Sequence, residues 1–318
     1  MELFETSGAA LSYAWRSVSK EEQKYQKDRF NEVFGPILLE NGFLKKGTRY
    51  CRLYENRFLQ IVEFARWGHW GPGQVGIGCM TYYPFGHFAQ SLRFENGGKW
   101  IFYERPYSYG PKMIDVLLEE FVGEVCAPGY KGTDGKGLLK ENNRALYIVK
   151  NFDDALQLEY ELFVRKALPE LNRIKDLDSY QAMRRRVYSP QTHGRFTPCA
   201  EHSPYTYDRF YSMLEEAEWE KAEACLRHMV EKTKEEVAKC QDALQKKLIS
   251  EGMEACWHEK VTLESWSDQL AYEEELLKRV MQRDAAWREQ FMGRIQELTY
   301  AELNRLSPRI LKNPVKAL

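Results

Sequence analysis

From Asp208 to Leu248 the chain contains neither glycine nor proline, and Leu226, Val230, Thr233, Val237, Cys240, Leu244 and Leu248 recur three and four apart while Glu and Lys fill the positions between them. Residues at that spacing share one face of a helix, so the pattern predicts a long amphipathic helix. Gly252 interrupts it. A second helical stretch is expected from about Thr262 to Leu306, carried by Trp266, Leu270, Leu276, Leu277, Val280, Trp287, Phe291, Ile295 and Leu298. Two such helices cannot leave their apolar stripes in water. They are expected to pack as an antiparallel hairpin, against each other, the rest of the chain or another copy.

The first part of the chain has a different texture. A helix is expected over about Lys20 to Asn41, through Tyr25, Phe30, Val33, Phe34, Ile37, Leu38 and Leu39, with Gly42 as terminator and Pro36 marking a kink or a junction of two shorter helices. After Gly47, runs rich in aromatic and β-branched residues predict strands at Arg49 to Glu55, Phe58 to Ala65, Gln74 to Tyr83, Ser91 to Glu95 and Lys99 to Glu104. Turns at Glu55-Asn56-Arg57 and Asn96-Gly97-Gly98 favour an antiparallel meander. Helices over Pro111 to Val125 and about Phe152 to Ile174 would cover one face of that sheet, the other facing water. The expected fold class is therefore α+β: an antiparallel sheet flanked by helices, then a helical hairpin or small bundle. The expected division is residues 1–183 for the α+β domain with an N-terminal extension, 184–207 for a proline-containing linker, and 208–318 for the helical domain.

Composition narrows the function classes. The 46 Lys+Arg nearly cancel the 47 Asp+Glu, so no global field draws the chain to polyanions, and nucleic acid is not an expected partner. The N-terminus carries Glu2 and Glu5 where a secretion signal would be basic, and no apolar run approaches the roughly 20 residues of a membrane helix. Seven cysteines in no repeated framework suit reduced thiols, which makes the cytoplasm the expected location.

Several local clusters invite chemistry. Arg66-Trp67-Gly68-His69-Trp70-Gly71-Pro72-Gly73 is a glycine-rich loop with two tryptophans, an imidazole and a guanidinium, residue types that concentrate at binding hot spots; the alternative is that the tryptophans cap the sheet. Arg184-Arg185-Arg186, with Tyr188, Arg195 and Phe196, resembles a short phosphate-tracking patch, weighed against a solvated helix end. Cys199-x-x-His202 and Cys225-x-x-His228 have zinc-ligand spacing, but Cys225 also belongs to the apolar pattern, and a buried thiol beside a surface histidine is the preferred reading. Gly129 to Gly137 is rich in glycine and lysine without the phosphate-loop order, and is read as a connection. The motifs of hydrolases, metalloproteases and dinucleotide-binding enzymes do not occur, and no cofactor or metal is expected.

One family resemblance rests on Glu40-Asn41-Gly42-Phe43-Leu44-Lys45-Lys46-Gly47, Tyr50, Gln60-Ile61-Val62 and Gly76-Ile77-Gly78. The stretch from Phe30 to Tyr82 resembles the bacterial family called domain of unknown function 4304. It departs from that pattern at Glu63-Phe64-Ala65-Arg66, which lacks the expected glutamine, and at Gly76, where asparagine is commoner. The resemblance implies an α+β fold over the first third of the chain and no catalytic residues.

The function expected from these features is that of a non-enzymatic bacterial protein-interaction module, immunity- or antitoxin-like in its most concrete form, with Arg66, Trp67, His69, Trp70 and Arg105 as its candidate binding residues. The alternative is a small-ligand or nucleotide-handling enzyme in which Arg66, His69 and Arg105 receive an anion between sheet and helices. A third reading has the C-terminal helices forming a homo-oligomer.

Overall fold

The computed structural model describes residues 3–4, 19–66, 75–92, 148–149, 153, 156–157, 160–161, 163–187, 206–252 and 254–316. In chain order the elements are β1 (Leu3–Phe4), α1 (Lys20–Glu40), β2 (Leu44–Lys46), β3 (Arg49–Tyr54), β4 (Phe58–Arg66), β5 (Val75–Tyr82), α2 (Pro84–Ser91) and β6 (Ile148–Val149). A π-helical turn over Phe163–Ala167 leads into α3 (Leu168–Asn172), followed by α4 (Leu177–Val187), α5 (Tyr207–Glu215), α6 (Trp219–Glu251), a 3₁₀ turn at Glu254–Cys256, α7 (Trp257–Met281) and α8 (Ala285–Leu306). The fold is α+β. The chain forms two compact units: one draws on Met1–Tyr83, Glu104–Glu201 and Ala301–Leu318, the other on Pro84–Tyr103 and His202–Tyr300. Each unit thus takes its residues from more than one stretch of sequence, whereas the expected domains are linear.

In the first unit, Ser19 caps α1: its hydroxyl accepts from the Glu22 amide at 3.2 Å while the Glu22 carboxylate accepts from the Ser19 amide at 2.9 Å. This reciprocal box satisfies two amides that the first turn leaves without helical partners. The helix buries Gln26, Phe30, Phe34, Gly35 and Leu38, and Tyr25 and Leu39 fall on the solvent side. It runs through Pro36 as one element. Pro36 is exposed, so the carbonyl its ring leaves unbonded can turn to water. The end is a Schellman arrangement with Gly42 at φ 77°: the Gly42 amide donates to Leu39 O and the Phe43 amide to Leu38 O, both at 3.0 Å.

β2, β3, β4 and β5 form an antiparallel sheet in that order, and β1 pairs separately with β6. The turn into β4 holds Glu55 and Asn56 at φ 51° and 57°, closed by the Arg57 amide on Tyr54 O at 3.1 Å. Contrary to the expectation of one wet face, both faces of the four-stranded sheet are covered. On one, Phe30 of α1 stacks on Phe64 with ring centroids 5.5 Å apart, and Phe58 meets Tyr180 of α4 at 5.3 Å. On the other, Cys51, Leu53, Leu59, Ile61 and Tyr82 pack with Leu303, Leu306 and Ile310. Tyr50 to Tyr54 is buried throughout: Cys51 and Leu53 face one covering layer, and Tyr50, Arg52 and Tyr54 the other. Ser91, expected to open a strand, is the last residue of α2, whose Pro84 occupies the first helical position. Residues 99–104, the helix expected over 111–125 and the turn at 96–98 lie outside the described residues.

In the second unit, α6 and α7 pair as the expected hairpin. The long helices are segmented more finely than their periodicity implies. Glu216 to Glu218 separate α5 from α6, with Ala217 at φ 54°, its amide on Leu214 O at 3.1 Å and that of Glu218 on Met213 O at 2.8 Å. Gln282 to Asp284 separate α7 from α8, with Arg283 at φ 50° and the Asp284 carboxylate accepting from the Trp287 amide at 2.9 Å. The break at Ala217 lets α5 fold back on α6, burying Phe210, Tyr211, Leu214, Cys225 and Leu226. Gly86 of α2 lies so close to α5 that a side chain there would meet Asp208. Arg184 to Val187 form the last turn of α4, and Thr206 caps α5, so helices reach into both ends of the expected linker.

Candidate functional site

Of the residues singled out in the sequence, Arg66 ends β4, its backbone paired with Val75. Trp67, His69, Trp70 and Arg105 lie outside the described residues, as do Gly129 to Gly137, Tyr188, Arg195, Phe196, Cys199 and His202. Arg184, Arg185 and Arg186 stand in α4. Cys225 is fully buried, and burial pushes its thiol up to about 12, so at neutral pH it is held as a neutral thiol. Among the described residues no group of three or more His, Cys, Asp or Glu is placed to hold a metal ion.

The first unit is organised around a residue that sequence reading passed over. Arg52, 2% exposed on β3, donates through Nε to Gln60 Oε1 at 2.8 Å, through Nη1 to Asn41 O at 2.7 Å, and through Nη2 to Asn172 Oδ1 at 2.5 Å. Its guanidinium lies 4.4 Å from the ring centroids of both Phe43 and Tyr54. Among the described residues no carboxylate pairs with it. Burial lowers its pKa to about 10, which leaves it charged at neutral pH, and the two rings and three oxygen acceptors are what offset its desolvation. Gln60 donates onward to Leu171 O at 2.8 Å, and Tyr54 donates to Asn172 O at 3.0 Å. Thr81 follows Gln60 in register on β5, and its hydroxyl is buried with no hydrogen-bond partner among the described residues. The signal in the sequence was an arginine inside an aromatic strand, facing a glutamine across a hairpin.

A second buried polar centre joins three helices of the other unit. The Glu273 carboxylate of α7 is 0% exposed; it accepts from the Tyr207 hydroxyl of α5 and from Gln269 Nε2, both at 2.9 Å, and from Thr233 Oγ1 of α6 at 2.7 Å. Its donors turn a costly buried carboxylate into a register pin between α5, α6 and α7.

The far end of the hairpin exposes three large apolar side chains among charged neighbours. Beyond Thr233 on α6 and before Glu273 on α7, Cys256 is the only buried residue among those described. Leu248, Ile249 and Trp257 are 39%, 79% and 69% exposed around the turn at Gly252. The tip is braced by Lys247, which bridges to Glu259 at 2.7 Å, and by Cys256, whose thiol donates to Gly252 O at 3.1 Å. An indole and two aliphatic side chains held outward on a braced turn offer large contact area at small entropic cost, the composition of an interface anchor.

Compared with family models, characterised proteins and solved structures, the chain matches none of them.

Proposed function

We propose that this chain is a non-enzymatic protein-interaction module whose partner docks on the apolar tip of the α6–α7 hairpin. The observation that carries this reading is the outward display of Leu248, Ile249 and Trp257 on a braced helical turn. Supporting it, the two most engaged buried polar side chains among the described residues serve structural contacts: Arg52 ties sheet to loop, and Glu273 ties helix to helix. An immunity- or antitoxin-like role in a bacterium, with a toxin as the partner, is the concrete form of the proposal. The likeness of Phe30 to Tyr82 to domain of unknown function 4304 belongs to the same proposal, and it brings a fold rather than a chemistry.

The test is gentle purification of the tagged chain from its native lysate, with native mass measured. A stoichiometric protein should co-purify, and Trp257→Ala together with Ile249→Ser should reduce its retention at least about tenfold while the circular dichroism spectrum is unchanged, since two anchor truncations of this kind remove more than about 1.4 kcal/mol. Retention unaltered by that pair would overturn the assignment of the tip.

A further inference from the structure

The outer edge of β3 is shared by two segments. β2 covers only Arg49, Tyr50 and Cys51, through the pairs Lys46 with Arg49, Lys45 with Tyr50 and Leu44 with Cys51. Beyond them the edge is taken by a single residue from far along the chain. Val315 forms a parallel bridge beside Tyr54: its amide donates to Leu53 O at 2.8 Å, and its carbonyl accepts from the Glu55 amide at 2.7 Å. Its side chain sits over Gly42, where an added Cβ would stand 2.4 Å from Val315 Cγ2. The seat therefore requires a glycine at that position, and Asn41, next to it, is fixed by the Arg52 guanidinium.

The segment that delivers Val315 is held lightly. Ile310 is buried against the sheet and Leu311 packs on the same cluster, but Lys312, Asn313, Pro314 and Lys316 are exposed, so beyond Leu311 the bridge and one valine side chain provide the main attachment. An edge engaged by one residue is a strand-addition geometry kept short.

We infer that the Leu53–Glu55 edge and its Gly42 seat form a docking site for one extended residue with a small β-branched side chain, and that Val315 fills it in cis as a releasable strap. The ligand class is an extended peptide segment carrying valine in the manner of Asn313-Pro314-Val315-Lys316. This inference does not depend on the hairpin tip: it concerns the first unit and is tested without the partner.

The experiment uses the full chain with Val315→Asp, which places a carboxylate in the apolar seat, and follows amide hydrogen exchange. In the unaltered chain the Glu55 amide should exchange at least about tenfold faster than those of Ile61 and Val62 in the central strand, because the strap opens without unfolding the sheet. In the variant, Glu55 should lose its remaining protection while Ile61 and Val62 keep theirs, and millimolar peptide Asn-Pro-Val-Lys-Ala should restore it. Failure of the peptide to restore Glu55 in an intact variant overturns the docking site. Loss of Ile61 and Val62 protection overturns the strap, since Val315 would then be part of the cooperative core.

Discussion

Arg52 and Gln60 stand directly opposite each other across β3 and β4, and the guanidinium Nε donates to the amide oxygen at 2.8 Å. The pair lies in a buried, largely aromatic layer that includes Phe30, Phe34, Phe58 and Phe64, so each of its hydrogen bonds stands in place of water and none can be dropped without cost. Through Asn41 and Asn172 the same guanidinium fixes the end of α1 and the end of α3 to the sheet.

Replacing Arg52 with alanine should therefore destabilise the first unit by about 3–5 kcal/mol, leaving buried acceptors on Gln60, Asn41 and Asn172 together with a cavity between two rings. Lysine should recover little of it, because one ammonium cannot reproduce the planar fork. Urea unfolding of Arg52→Ala and Arg52→Lys measures both.

Glu273 gives a coupled pair. Glu273→Ala should cost about 2–4 kcal/mol by stranding the hydroxyls of Tyr207 and Thr233, and Thr233→Val about 1–2 kcal/mol. Because the 2.7 Å contact is shared, the double variant should be more stable than the sum of the two predicts, by about 1 kcal/mol.

Ala217 occupies the left-handed position of a Schellman end at φ 54°, where an L side chain is strained. Ala217→Gly should stabilise the protein by about 0.5–1 kcal/mol, the relief exceeding the extra freedom glycine has in the unfolded chain. Thermal unfolding should show a higher midpoint.

Gly42→Ala should act in the opposite direction, by about 2 kcal/mol or more, since it combines a φ of 77° with a collision at Val315. Adding Val315→Ala should recover the steric part and not the backbone part, which a double-variant cycle separates.

The buried thiols contribute to the alkaline limb of stability. Burial raises Cys51 to about 11 and Cys225 to about 12 from an ordinary value of 9.0. Their folded pKa lies above the unfolded one, so their contribution is fully present below about pH 9 and is lost as pH rises through the folded values. Denaturant unfolding between pH 8 and pH 11 should show stability falling above pH 9, with a shallower fall in Cys225→Ala.

Local pattern carried much of the architecture. The strands at Arg49–Tyr54, Phe58–Arg66 and Val75–Tyr82, the helix ending at Gly42 and the α6–α7 hairpin follow from periodicities and turn residues that act over a few neighbours. The breaks at Ala217 and Arg283 were not legible, because neither residue favours a positive φ; at Ala217, burial of α5 against α6 offsets the strain. Arg52 was not legible as a centre either: its partners Asn41, Gln60 and Asn172 are up to 120 positions away, and only the packing of α1 and α3 on the sheet brings them to one guanidinium. The hairpin tip was read as part of an apolar stripe, since periodicity places Leu248 on the same face as Leu226 without saying where the covering layer ends.

What the sequence by itself determined is therefore which segments become helix and strand, because backbone preference and side-chain period are properties of adjacent residues. The tertiary structure decided that both faces of the sheet are covered, that a buried arginine charge is solvated by amide oxygens and rings rather than paired with an acid, and that Val315 closes the edge above Gly42. Those outcomes depend on which surfaces meet, and the free energy of burial is set by contacts between residues that the chain keeps far apart.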